Sequence, residues 1–320
     1  MQVAGWAKTG RRLLAGLWQN SGMLAIFVVL FTVLSLTVPF FFTWQNMVGL
    51  ALSVSLVGMV ACAMLFCLAS GDFDLSVEAV VAFSGVLAAV VIGATGSVAL
   101  GIAAGILAGG VVGLVNGVVI AKFGINALIT TLATMQIVRG LGLVVSGGSA
   151  VGITKTAFFA LGNDSMLGVP YPVWITLVCF AVFGVLLSKT TYGRNTLAIG
   201  GNREAARLAG IPVAKVRITI FAVQGLMAGF AGVILASRMT SGQPNTSAGF
   251  SLDVISACVL GGVSLTGGVG SMLGVVVGVL IMGTVQNAMT LLNIPTFYQY
   301  IARGIILLAA VLLDRLKRTH

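Results

Sequence analysis

This chain is poor in the residues that do chemistry. Its only histidine is His320, the last residue, which argues against a histidine-based metal or catalytic centre. Cys62, Cys67, Cys179 and Cys258 all lie inside apolar runs, and Cys62 and Cys67 point away from each other on one helix. They read as buried, reduced thiols rather than as a disulfide framework. No Gly–Lys dipeptide occurs, so the phosphate loop G-x-x-x-x-G-K-[ST] is absent, and no dinucleotide fingerprint is present. The glycine-dense stretch 261–270 is therefore not a phosphate cradle. The expectation is a chain without an ATPase site, catalytic residues, metal or cofactor of its own.

What is present is apolar surface. Hydrophobic residues make up 58% of the 320 positions and charged ones 8%, with mean hydropathy +1.12. About ten apolar runs approach the ~20 residues that cross a bilayer as a helix. They fall near 24–42, 46–68, 76–93, 97–121, 125–145, 172–188, 217–236, 252–265, 270–291 and 297–313, the eighth being short. Backbone groups in lipid must be satisfied internally, so helices follow. The predicted fold is all-α and integral to the membrane, residues 1–320 forming one polytopic domain. The first run is too long for a signal peptide and ends in Pro39, Phe40, Phe41 and Phe42, so it reads as a retained span.

The net charge of +10 is not spread as a nucleic-acid footprint would be. Basic residues cluster at 8–12, 189–217 and 315–318, with Lys122 beside them, whereas the 146–171 loop holds only Lys155 against Asp164. Positive loops stay cytoplasmic, and with ten spans all three clusters share one side. Both termini and the 189–217 loop are predicted to be cytoplasmic.

Several patterns bear on packing and passage. Gly101, Gly105, Gly109, Gly113 and Gly117 line one face of the fourth run, suiting either close packing or a sliding surface. Asn116, Gly117 and the Arg139–Gly140 pair are echoed by Asn287 and Arg303–Gly304, a hint of an inverted internal repeat. Asp72, Asp74 and Glu78 crowd between the second and third runs; they suit a gating element or a capped turn, with Ser76 as N-cap of the third helix. Asn126, Thr130 and Thr134, with Arg139 beyond, and later Gln286 and Asn287, form polar stripes. Such stripes either hydrogen-bond neighbouring helices or line a wet path. Arg139 and Arg303 need partners or water, and Asp72 is one candidate partner.

Residues 199–217, IGGNREAARLAGIPVAKVR, stand apart as a basic, water-loving segment. Asn202 can cap a short helix with Glu204 in its first turn, Gly210 suits its C-terminal end and Pro212 stops it. Two turns of helix are unstable in water alone, so the segment leans on its own domain or docks into a soluble partner.

TYGRNTLAIGGNREAARLAGIP resembles the coupling segment of permease subunits of sugar-type ABC importers, and LASGDFDLSV resembles their glycine–aspartate–leucine–serine motif. GMVACAMLFCLASGDFDLSV, INALITTLATMQIVRGL, ILASRMTSGQP and VISACVLGGVSLTGG extend the similarity, which runs from about residue 22 to 315. The resemblance implies a homodimeric permease in lipid, working with a cytoplasmic ATP-binding subunit that consumes ATP and Mg and with a periplasmic sugar-binding protein. It implies import of a monosaccharide, L-arabinose foremost. It maps Asn202, Arg203, Glu204, Ala205, Ala206, Arg207, Leu208 and Gly210 onto the segment that touches the ATPase, within a cytoplasmic coupling loop at 189–217. The competing reading is an ion-coupled secondary sugar transporter, for which Asp253 is the lone candidate acid.

Overall fold

A computed structural model describes residues 22–319. The basic residues at 8–12 and His320 lie outside the described residues, as do the side chains at 315–318. Among the described residues seven helices are long and apolar enough to cross a membrane. They are α2 (Trp44–Ala69), α3 (Val77–Thr95), α4 (Val98–Lys122), α5 (Ala127–Ser146), α7 (Tyr171–Lys189), α10 (Val213–Met239) and α12 (Met272–Leu291). Shorter apolar stretches are α1 (Gly22–Thr37), α11 (Phe250–Leu260) and Thr296–Leu312 of α13 (Thr296–Thr319). Three polar or short helices complete the set: α6 (Thr156–Asn163), α8 (Thr191–Gly201) and α9 (Arg203–Leu208). Two minimal antiparallel pairs accompany them, β1 (Val151–Gly152) with β4 (Ser241–Gly242), and β2 (Ser165–Met166) with β3 (Val169–Pro170).

The run expected at 24–42 leaves helical geometry after Thr37, ahead of Pro39, whose ring cannot continue the hydrogen-bond ladder. The run expected at 252–265 stops at Leu260, where Gly261 caps the helix and Gly262 turns left-handed at φ +81°. At eleven residues α11 is about half a span long.

The core is built around the second half of α2, where residues 59 to 69 are shielded from solvent. Helices α7, α10, α11 and α12 surround it. The outer helices keep large apolar side chains uncovered, among them Val111 on α4, Ile129 and Val144 on α5, and Val182 on α7. Apolar exposure on this scale is costly in water and costless in lipid.

The glycine ladder of α4 is a packing seam against α10. A β-carbon at Gly113 would fall within the radius of the Phe221 carbonyl oxygen, and one at Gly109 would strike that of Gly225. Only glycine lets the two backbones approach so closely. The ladder is closely packed in this structure.

Basic residues gather at one end of the bundle. Lys122, Lys189, Arg194, Arg203, Arg207, Lys215 and Arg217 lie on or beside segments packed at one end of the bundle, where Gly200 meets Ala69 and Gly268. The opposite end carries the 146–171 excursion, with Lys155 beside Gly96.

Candidate functional site

The connector from α2 to α3, residues 70–76, is where charge enters the core. Gly71 takes φ +78°, a left-handed bend that a β-carbon resists, and turns the chain away from the end of α2. Asp72 and Asp74 follow, both buried. Arg217, in the second turn of α10, donates to Asp72 with two arms, Nε to Oδ2 at 2.7 Å and Nη2 to Oδ1 at 2.7 Å. Its Nη1 donates to the Ile120 carbonyl at 3.3 Å. Arg203, the first residue of α9, reaches Asp72 Oδ1 and the Ser70 carbonyl at 3.4 Å each. Asp72 therefore pairs with Arg217 and Arg203, not with Arg139 or Arg303 as its sequence position suggested. The bend at Gly71 points it toward the basic end of the bundle.

The N-cap reading of Ser76 is corrected as well. Its backbone is already helical and its hydroxyl makes no capping bond. Asp74 Oδ1 instead accepts both the Ser76 amide at 2.9 Å and the Ser76 hydroxyl at 2.6 Å. A carboxylate two residues earlier is the stronger acceptor, and it fixes the turn. From there a hydrogen-bond chain crosses three elements. Asn116 Nδ2 on α4 donates to Ser76 Oγ at 3.0 Å, and Thr134 Oγ1 on α5 donates to Asn116 Oδ1 at 2.7 Å.

Glu78 lies in the first turn of α3, where the helix dipole favours an anion. Its carboxylate accepts from Arg139 on α5 at 2.5 Å and from the Gly249 amide at 3.0 Å. Ser251 Oγ takes the Glu78 amide and donates to the Leu75 carbonyl. The N-terminus of α3 is thereby tied to the N-terminus of α11. A second pair repeats the arrangement: Asp253, in the first turn of α11, accepts from Arg303 on α13 at 3.0 Å. The Arg303 guanidinium lies over the Tyr300 ring.

Helix α9 forms by its caps. Asn202 Oδ1 accepts the Ala205 amide at 2.9 Å, and Gly210 adopts φ +82° beyond Ala209. Glu204 and Arg207 pair on its solvent face, and the Arg207 hydrogen bond holds the Glu204 carboxyl below its usual range. Ala206 is buried against the domain, while Leu208 projects 78% exposed. The helix leans on its own domain through one face and presents the other.

The remaining candidates divide. Asn126 caps α5 by accepting from the Leu128 and Ile129 amides, and the Thr130 hydroxyl donates back to the Asn126 carbonyl. Asn287 pairs reciprocally with Asn46 at 2.8 and 2.9 Å, joining α12 to α2. Gln286 accepts Thr290 through its carbonyl. The two stripes serve different helix pairs. Residues that sequence reasoning did not place in the site are Arg217, Ser251 and Gly249, and Asn116 was read only as part of a repeat. Arg217 carried the one available signal, a guanidinium entering an apolar run.

Seven helices long and apolar enough to cross a membrane, with arginines paired to acids among them and a polar segment at one end, describe a multi-pass membrane protein. The chain belongs to the family described as branched-chain amino acid transport system / permease component, whose model matches residues 46–311. It is 62% identical to the L-arabinose transport system permease protein AraH of Escherichia coli K12, over 94% of this chain and 92% of that protein. It is 60% identical to the L-arabinose ABC transporter permease protein AraH of Azospirillum brasilense, over 97% and 92%. It is 40% identical to the ribose import permease protein RbsC of Bacillus subtilis 168, over 94% of each. No solved structure matches. The chain is accordingly a sugar ABC-importer permease of the bacterial inner membrane, a transport subunit rather than an enzyme.

Proposed function

We propose that this chain is the pathway-forming subunit of an ATP-driven monosaccharide importer, and that its sugar is L-arabinose. The single observation that carries the reading is the linkage of α9 to the connector: a capped, exposed helix whose first residue, Arg203, touches Asp72. A cytoplasmic ATP-binding subunit docks on α9 within the 189–217 loop, burying Leu208 and engaging the Glu204–Arg207 pair. ATP-driven closure of that motor shifts α9, and Arg203 passes the displacement to residues 70–76. The Asp74–Ser76–Asn116–Thr134 chain carries it on to α5. The substrate assignment rests on the relatives at 62% and 60% identity, both L-arabinose permeases, against ribose permeases at 40% and below.

The same reading holds that ten segments cross the membrane, α1, α11 and the apolar part of α13 joining the seven longer helices. Both termini are cytoplasmic, on the side of the basic residues. Two four-helix units, α2–α5 and α10–α13, form an inverted repeat, supported by the matching pairs Glu78–Arg139 and Asp253–Arg303. Residues 1–320 act as one domain, two copies of which flank the pathway, and a periplasmic binding protein delivers the sugar. Asp253, the acid that an ion-coupled transporter would use, is held by Arg303, which favours the motor-driven mechanism.

Radiolabelled L-arabinose uptake into proteoliposomes tests the proposal, with the ATP-binding subunit and ATP inside and the binding protein outside. Uptake requiring every component is expected. Uptake by this chain alone on an ion gradient would overturn the motor-driven mechanism, and uptake of a different sugar would replace only the substrate.

A further inference from the structure

The connector, the turn from α4 to α5, and the first residue of α9 enclose a cavity of about 520 Å³. Its wall includes Asp72, Phe73, Asn126, Leu128, Arg203 and Arg217. That volume falls within the range of small-molecule sites. The polar groups on the wall are not equally committed. Arg217 is buried and gives two arms to Asp72. Arg203 touches Asp72 only at 3.4 Å, and its side chain is 47% exposed, so it keeps N–H donors accessible beyond that contact. Asn126 spends its carbonyl oxygen on the Leu128 and Ile129 amides and keeps its amino group as a donor. A carboxylate, a guanidinium, a carboxamide and a phenyl ring therefore border one space.

This combination suits a neutral sugar ring. An anion entering the cavity meets the Asp72 carboxylate on the same wall, and that carboxylate offsets one of the two guanidinium charges there. A monosaccharide offers hydroxyls to the planar charged groups and a C–H face to Phe73. We propose that the cavity is an exit station for the transported monosaccharide at the cytoplasmic mouth of the pathway, with Arg203 as its movable wall. This rests on the importer reading. Because Arg203 also begins the coupling helix, the motor and the departing sugar act on one side chain, so that displacement of α9 opens or closes the station.

The test uses the full chain in lipid nanodiscs without its partners, as a Leu128→Cys variant in a Cys179→Ser background. Cys62, Cys67 and Cys258 are buried, and Cys179 is the one native thiol less than fully buried. The rate of labelling by N-ethylmaleimide is measured with and without L-arabinose. Saturable, several-fold slowing by L-arabinose is expected, none by mannitol or inorganic phosphate, and none at a Val144→Cys control on the exposed face of α5. Phe73→Ala should abolish protection. Equal rates with and without sugar overturn the exit station, and protection by phosphate alone reassigns the cavity to anions. Sugar uptake in the full system without protection at position 128 sinks the station and spares the importer reading. Where another sugar is the one taken up, protection must follow that sugar.

Discussion

Residues 70–76 and residues 240–249 each lead from a long helix to the N-terminus of another, and each of those helices, α3 and α11, has an acid in its first turn held by an arginine. The first connector carries two buried carboxylates, one gripped by Arg217 and touched by the coupling helix. The second has no charged side chain; it pairs Ser241–Gly242 with Val151–Gly152 and ends in Gly249, whose amide donates to Glu78. One break is equipped to receive an input at the basic end of the bundle. The other is joined to the first half of the chain by the bond from Gly249 to Glu78. Like scaffolds thus carry unlike side chains in their breaks, charged and buried in one and uncharged in the other.

The largest effect should come from breaking the charged connector. Arg217→Ala removes both short bonds to the buried Asp72 carboxylate and leaves it only the 3.4 Å contact with Arg203, a change that costs up to about 3–5 kcal/mol. Loss of folded protein on size exclusion is expected, and wild-type yield and melting temperature would contradict the grip described here. Next come changes on the coupling helix. Gly210→Val forces a branched side chain into φ +82°, and Glu204→Lys removes the partner of Arg207 and sets a cation at the helix N-terminus. Both should insert normally yet fail to co-purify with the ATP-binding subunit; retained co-purification removes α9 from the docking surface.

Comparing the two acids sharpens the contrast further. Glu78→Gln weakens both the Arg139 pair and the bond from Gly249, whereas Asp253→Asn weakens only the Arg303 pair. Uptake should fall about tenfold for Glu78→Gln, the equivalent of ~1.4 kcal/mol, and less for Asp253→Asn. Equal losses would mean that the contact between the two half-bundles carries nothing extra. The smallest change belongs to the uncharged connector. Gln243→Ala, whose amide bonds only to Ser241 at 3.3 Å, should shift stability by no more than ~0.5 kcal/mol in a denaturant titration.

Local chemistry was readable in the sequence, and distant pairing was not. The caps of α9 were legible because Asn202 and Gly210 act on neighbours within a few residues. The seven long helices were legible from apolar length alone. The crowding of Asp72, Asp74 and Glu78 marked the connector, but nothing local names a partner 145 residues away for Asp72 or 171 away for Glu78. The error at Ser76 arose because a serine before an apolar run is a common cap, and the nearby Asp74 outcompetes it. The 252–265 run misled for a related reason: its hydropathy continues past Gly261, while its backbone does not.

The measurement that bears most directly on the connector as the receiver of motor action is sugar flux per ATP in proteoliposomes holding Arg203→Ala. That substitution removes a partly exposed contact worth at most ~1 kcal/mol, so folding and ATPase docking should survive. ATP hydrolysis is expected to continue while L-arabinose delivered per ATP drops several-fold. An unchanged ratio would show that the motor reaches the pathway without the bond between Arg203 and Asp72.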